Sequence, residues 1–326
     1  MSKRLLLCAA GLMWSCLGEV PHENPLDPES DLFVNTGVIR GEARTFYQPA
    51  RPIGGVTVEL WPGNQNALSD TSGVFTMRNV PVGEYWITAR HKDYAPDSAR
   101  ILVEQGTPAR ASFQLDALPR IQSVTGRTFH VSSVPPEENV EFALLEAHVE
   151  DPDGPADIAA VLVEIPFLGL LDTLAATSVA GRYELKLFGS DLPEGRLHSI
   201  LARSLLFSAR DRLGNQPQPK ELVVFRIIDQ SPQIVSPQNR AAADSSRPNL
   251  TWNPFGTTFP FTFSVRVEKI VGGIPALAWE RMGISSQTTA IRVMKTLTRG
   301  EYRWTLSVVD EFGNTSTSQP AAFLVN

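Results

Sequence analysis

The sequence predicts an all-β chain: three antiparallel β-sandwich domains in series, preceded by a leader and a flexible tether. Three observations predict it. The 326 residues include 25 prolines and 23 glycines, and frequent chain reversals in a chain of ordinary globular composition go with many short strands. Apolar residues alternate with polar ones at a period of two, as in a strand with one face buried, and no long stretch follows the helical period. The pattern S-x-x-D-x-x-G-N occurs twice, at Ser208–Asn215 and at Ser307–Asn314, an offset of about 100 residues that matches one sandwich domain. At roughly 100 to 200 residues per domain, the length accommodates two or three cores.

The leader comes first. Lys3 and Arg4 precede an uncharged run, Leu5 to Gly18, long enough for the apolar segment of an export signal but short of the roughly 20 residues that a membrane-spanning helix needs. The chain's two cysteines, Cys8 and Cys16, both fall in this run, so the folded body forms no disulfide and relies on core size. The stretch LMWSC (Leu12 to Cys16) resembles the lipobox of bacterial lipoproteins, in which a small residue, here Ser15, precedes a cysteine that receives a lipid before the leader is cut. The resemblance implies removal of residues 1–15, lipidation of Cys16 and attachment to a membrane through that lipid. Leu17 after the cysteine, in place of Asp, fits export to the outer membrane. The alternative is an ordinary secretory leader cut nearby, and Met13 and Trp14 keep it open, because the family has leucine and a small residue there. Residues 16–35 then read as a tether, since Glu19 to Asp31 holds three prolines and five acidic residues and few groups that could build a core.

Residues 36–116 form the first expected sandwich. In VTVELW, Val56, Val58 and Leu60 share a face, and in GEYWITA, Tyr85, Ile87 and Ala89 do. Asp70 to Gly73 and Pro81 to Gly83 carry turn chemistry between them, and about seven strands fit in this stretch. GGVTVELW (Gly54 to Trp61), SDTSGVFTMRNVPVGEYWITARHKDY (Ser69 to Tyr94) and FQL (Phe113 to Leu115) together resemble the carboxypeptidase regulatory-like domain, a transthyretin-like sandwich. The resemblance implies a non-catalytic accessory, and the zinc-ligand motif of a carboxypeptidase is not in the sequence. Trp61 and Trp86 stand off the core faces by alternation. Exposed aromatics stack on sugar rings or anchor a protein partner, and the alternative is that they cover a sheet edge or meet a neighbouring domain.

Ala117 to Val124 and Asp229 to Pro237 read as connectors, which gives domains at 117–229 and 230–326. Each ends its repeat of S-x-x-D-x-x-G-N in a hairpin opened by Asp and closed by Gly-Asn. In the third domain Tyr302, Trp304, Leu306 and Val308 fall on one face, and Trp252 and Trp304 are expected in the core. PNLTWNP, FTFSVRVEK and LTRGEYRWTLSVVDEFGN resemble a fibronectin-type-III-like domain. The second domain is similar, more loosely, to a bacterial immunoglobulin-like domain, with an irregular stretch from Gly189 to Ile200.

Chemistry is sparse in the sequence. Net charge is −6, with 29 basic and 35 acidic residues in no long runs, which excludes a continuous basic track for nucleic acid. His22, His91, His130, His148 and His198 show no metal-ligand spacing. There is no G-x-S-x-G elbow and no phosphate-cradling loop, so no catalytic residue and no cofactor are expected. Glu150, Asp151, Asp153 and Asp157 put four carboxylates in eight residues, and two readings follow: a calcium site at a domain edge, or a turn whose Asp side chains bond the local backbone. The turn is the reading preferred, for Asp211 and Asp310 as well. The expectation is a non-enzymatic cell-envelope lipoprotein working as a structural, adhesive or protein-assembly module. The rival is a glycan-binding surface lipoprotein or an accessory subunit of an envelope enzyme or transporter.

Overall fold

The computed structural model describes residues 29, 30 and 35–326. Cys8, Cys16, the expected leader and all of the expected tether except Glu29, Ser30 and Asn35 lie outside the described residues. Those described form two units, one ending at Leu115 and one running from Asp116 to Asn326. Strands dominate both. The remaining regular structure is four 3-10 turns, with no α-helix and no helix able to cross a membrane among the described residues.

The first unit has seven strands: β1 (Thr36–Thr45), β2 (Thr57–Trp61), β3 (Gln65–Leu68), β4 (Val74–Pro81), β5 (Gly83–His91), β6 (Tyr94–Val103) and β7 (Ala109–Leu115). They make two sheets, β4-β1-β7 and β3-β2-β5-β6. The alternating faces read from the sequence close on each other: Val58, Leu60, Ile87 and Ala89 from the larger sheet share one core with Ile39, Phe75, Met77 and Phe113 from the smaller. The pairing is antiparallel except between β1 and β7, which run parallel from Ile39↔Ala109 to Thr45↔Leu115. The turn before β4 follows from its residues. Asp70 Oδ1 accepts the backbone N–H groups of Ser72 (2.8 Å) and Val74 (2.9 Å), and Gly73 takes φ 76°. A Cβ on Gly73 would lie 2.5 Å from the Ala43 carbonyl oxygen, so glycine alone fits. At the next corner, half-buried Tyr85 donates its hydroxyl to the Pro81 carbonyl at 2.9 Å.

The second unit begins with β8 (Arg120–Val131), β9 (Val140–Glu150), β10 (Ile158–Ile165), β11 (Leu170–Ala176), β12 (Arg182–Phe188), β13 (Ser204–Asp211) and β14 (Lys220–Val223). These enclose a core of Ala143, Leu145, Val161, Val163, Leu205 and Phe207, among others. The irregular stretch after β12 is three 3-10 turns, whose Leu192, Leu197 and Ile200 plug this core. The rest comprises β15 (Ile234–Ser236), β16 (Ala241–Ala242), β17 (Asn249–Trp252), β18 (Phe261–Val271), β19 (Ile274–Ser285), β20 (Ala290–Arg292), β21 (Gly300–Asp310), β22 (Thr315–Thr317) and β23 (Ala321–Val325). The three-stranded sheet β15-β17-β20 and the ladder through β21, β18 and β19 share a second core, in which Trp252, Phe263, Tyr302, Trp304, Leu306 and Val308 are buried.

Two expectations are corrected. The stretch read as a connector at Ala117 to Val124 is a strand from Arg120 onward, paired with β9 through Arg120↔Glu150 and Ile121↔Val149. Ile121 and Val124 pack on the first core of this unit, which supplies the burial that a short segment with polar neighbours does not reveal. The second connector likewise holds β15, paired with β17. The two cores also share one continuous ladder, because β8 pairs with β22 in parallel through Phe129↔Thr315, His130↔Ser316 and Val131↔Thr317.

Candidate functional site

Two groups of side chains stand out, one in each unit. In the first, the outer face of β3-β2-β5-β6 carries Trp61 and Trp86, 67% and 44% exposed. The register sets them directly opposite one another, and Trp86 is in turn opposite Arg100 on β6. Residues so paired have Cβ atoms about 5 Å apart, which sets the two tryptophans side by side in a row. The Arg100 guanidinium lies 5.0 Å from the Trp86 ring centroid. The row is a flat apolar surface bordered by a cation on a fixed sheet, and it can stack on a ring or hold an apolar side chain. Alternation placed both tryptophans outside the core. Their adjacency needed the register.

In the second unit, the turn from Asp151 to Asp157 folds as its sequence implies. Asp151 Oδ1 accepts the Asp153 N–H at 2.8 Å, the Gly154 N–H donates to the Asp151 carbonyl at 2.9 Å, and Gly154 takes φ 108°. Two more aspartates converge on it from elsewhere in the chain. One is Asp116, the first residue of the unit; the other is Asp211, at the end of β13. The metal-ligating atoms of Asp116, Asp157 and Asp211 lie within 4.8 Å of one another, as do those of Asp151, Asp153 and Asp157. Among the described residues, groups of three such side chains occur only here. Burial, followed by the negative charges of Asp211, Asp157 and Asp153, pushes the Asp116 carboxyl up to about 7. Burial also raises Asp151 to about 6, against the opposing hydrogen bond from Asp153 and with the neighbouring carboxylates adding to it. Asp116 carried no signal in the sequence, since it stands alone between FQL and the following strand.

Three of the histidines pair with single acids: His130 Nδ1 with Glu141 at 3.2 Å, His148 Nε2 with Glu150 at 3.7 Å and His198 Nε2 with Asp229 at 3.2 Å. Asp310 does cap its turn as expected, accepting the Phe312 and Asn314 N–H groups on Oδ1 at 2.9 Å each.

Residues 39–116 match the family described as the carboxypeptidase regulatory-like domain, and no enzyme family is indicated. No curated protein matches the chain. Among solved structures, the chain is similar to the Bacillus anthracis TIE protein at 10% identity and a TM-score of 0.30, over 90% of this chain and 49% of that one, so it spans about half of that protein. It is also similar to the FN1–FN3 domains of chicken CNTN1, at 9% identity and a TM-score of 0.35 over 90% and 96% of the two chains. A third similarity is to the fibronectin(III)-like modules of Clostridium thermocellum CbhA, at 13% identity and a TM-score of 0.29 over 64% and 93%.

Proposed function

We propose that the chain is a non-enzymatic lipoprotein of the bacterial cell envelope, exported and held at the outer membrane by a lipid on Cys16. It works as a structural, adhesive or protein-assembly module through domains at 36–116, 117–229 and 230–326. The observation that carries this reading is the exposed row of Trp61, Trp86 and Arg100 on a rigid sheet. Tryptophan and arginine are the side chains that most often dominate binding at protein surfaces, and placing them on strands fixes their geometry before a partner arrives. The match of residues 39–116 to a regulatory-like domain agrees with a role beside other envelope proteins. A glycan is the second reading, favoured by the same observation, because neighbouring indoles suit successive sugar rings.

The test compares the full chain with its Trp61→Ala and Trp86→Ala variants on glycan arrays and in capture of envelope proteins. Each substitution is expected to cost about 2 kcal/mol of binding while leaving the melting temperature within about a degree, since exposed positions contribute little to stability. Binding that survives both substitutions removes the row from the interface. Glycan binding in place of protein capture selects the second reading. Fatty-acid labelling checks the anchor in the same preparation: Cys16→Ser is expected to abolish it, and labelling that persists overturns the assignment.

A further inference from the structure

We propose that Asp116, Asp151, Asp153, Asp157 and Asp211 form a calcium site, with Asp116, Asp157 and Asp211 as its inner ligands. The first ground is a set of oxygens left over after the turns are made. Asp116 and Asp211 are 4% and 1% exposed, yet apart from each other's carboxyl no group meets Asp116 Oδ1 or Asp211 Oδ2, and the buried Oδ2 of Asp151 accepts no hydrogen bond either. Buried carboxylate oxygens ordinarily have a donor or a metal, because leaving them bare is costly. The turn bonds account for the other oxygens: Asp211 Oδ1 accepts the Asn215 N–H at 2.8 Å, Asp116 Oδ2 accepts Asn215 Nδ2 at 2.7 Å, and Asp153 Oδ2 accepts the Ala117 N–H at 2.9 Å.

The second ground is an internal comparison. The repeated turns at Asp211–Asn215 and Asp310–Asn314 share their backbone bonds, with the Asp N–H donating to the Asn carbonyl at 3.1 Å in both. In the later copy, Asp310 Oδ2 meets the Arg226 guanidinium at 2.9 Å and Asn314 Nδ2 at 2.9 Å. In the earlier copy the corresponding amide, Asn215 Nδ2, turns to Asp116 instead, and Asp211 lies among other carboxylates. The position that a guanidinium fills in one turn is bordered by acids in the other. A metal cation supplies the same neutralisation there.

The chemistry of the set selects the ion. All the ligands are carboxylate oxygens, which suit hard cations and not zinc or copper. The clustered ligand atoms, within 4.8 Å of one another, are close enough to share a single cation. Magnesium prefers to keep several waters in a strict octahedron, whereas calcium accepts many carboxylates in flexible geometry.

The test is calorimetric titration of the EDTA-treated full chain with calcium chloride, alongside thermal melts in EDTA and in calcium at about 10 mM, a level suited to extracellular calcium modules. Saturable binding is expected, with a melting temperature roughly 5 °C higher at a calcium concentration about 100-fold above Kd. Asp211→Asn keeps the turn-capping oxygen and removes the charge. It should weaken calcium binding at least tenfold and melt at or above wild type in EDTA but below it in calcium, an inversion that a purely structural role does not produce. Asp116→Asn, which keeps the bond to Asn215, provides a second variant with the same expected inversion. Asp310→Asn should leave the calcium titration unchanged. The proposal is overturned by no heat and no melting shift in folded wild type, by equal affinity for magnesium, or by variants that bind calcium as wild type does.

Discussion

Two tryptophans in the same core differ in the company of one atom. Trp304 donates its Nε1–H to the Pro237 carbonyl at 2.8 Å, whereas the buried Nε1 of Trp252 has no acceptor. Replacing either by phenylalanine loses packing, but Trp304→Phe also strands the Pro237 oxygen. We expect Trp304→Phe to destabilise by about 1 kcal/mol more than Trp252→Phe, read from urea midpoints at a common slope; equal costs would contradict the assignment. Both positions were legible as core from alternation alone. The hydrogen bond was not, because Pro237 lies far from Trp304 in sequence. The acidic turn shows the same division: Asp151, Asp153 and Asp157 announce themselves as a cluster, while Asp116 and Asp211 join it only through folding.

At the level of the strand, β18 presents a charged ladder on its outer face. Glu268 accepts from Arg303 Nε at 2.7 Å on β21 and from Arg266 Nε at 3.1 Å, and Arg266 also reaches Glu280 at 3.8 Å on β19. Partial burial pushes the Glu268 carboxyl up, but the bonds and charges of the two arginines outweigh it and hold the group below its ordinary value of 4.5. A carboxyl depressed in the folded state stabilises above its unfolded pKa and loses that contribution as pH falls through the folded one. Glu268→Gln should therefore cost somewhat under 1 kcal/mol at neutral pH, since both arginines are substantially exposed and screened, and wild type and variant should converge as pH falls from the ordinary value of 4.5 through the lowered one. A gap that persists in acid would locate the effect in packing. Strands such as β18 and β21 were readable because their alternation is long and regular. The start of β8 was not, because its burial comes from a partner strand rather than from its own pattern.

Across the second unit, the two cores are joined by more than the β8–β22 ladder. Arg226 bridges Asp310 and Glu311 at 2.9 and 3.0 Å and lies over Phe259, 4.3 Å from its centroid. Thr128 donates its N–H to Asn314 Oδ1 at 2.9 Å. The Asp310 side chain is fully buried, so Arg226→Ala leaves it an uncompensated charge at a cost on the order of 3 kcal/mol. We expect the two cores to unfold in one transition in wild type, and the variant to lower its midpoint in scanning calorimetry; an unchanged midpoint would mean that the cores are energetically separate. The repeat in the sequence made two like turns legible, with the same backbone bonds at Asp211–Asn215 and Asp310–Asn314, but not the contacts between the two cores, since neither copy encodes its neighbour. The placement of the tryptophans has an optical consequence. Trp61 and Trp86 of the first unit face water, while Trp252 and Trp304 of the second are enclosed and Trp279 is half-buried. Under ultraviolet excitation the first unit should emit at longer wavelength and be open to iodide quenching, and the second at shorter wavelength and be shielded. A red shift on denaturation therefore reports chiefly on the second unit, and the molecule carries its own two-colour label.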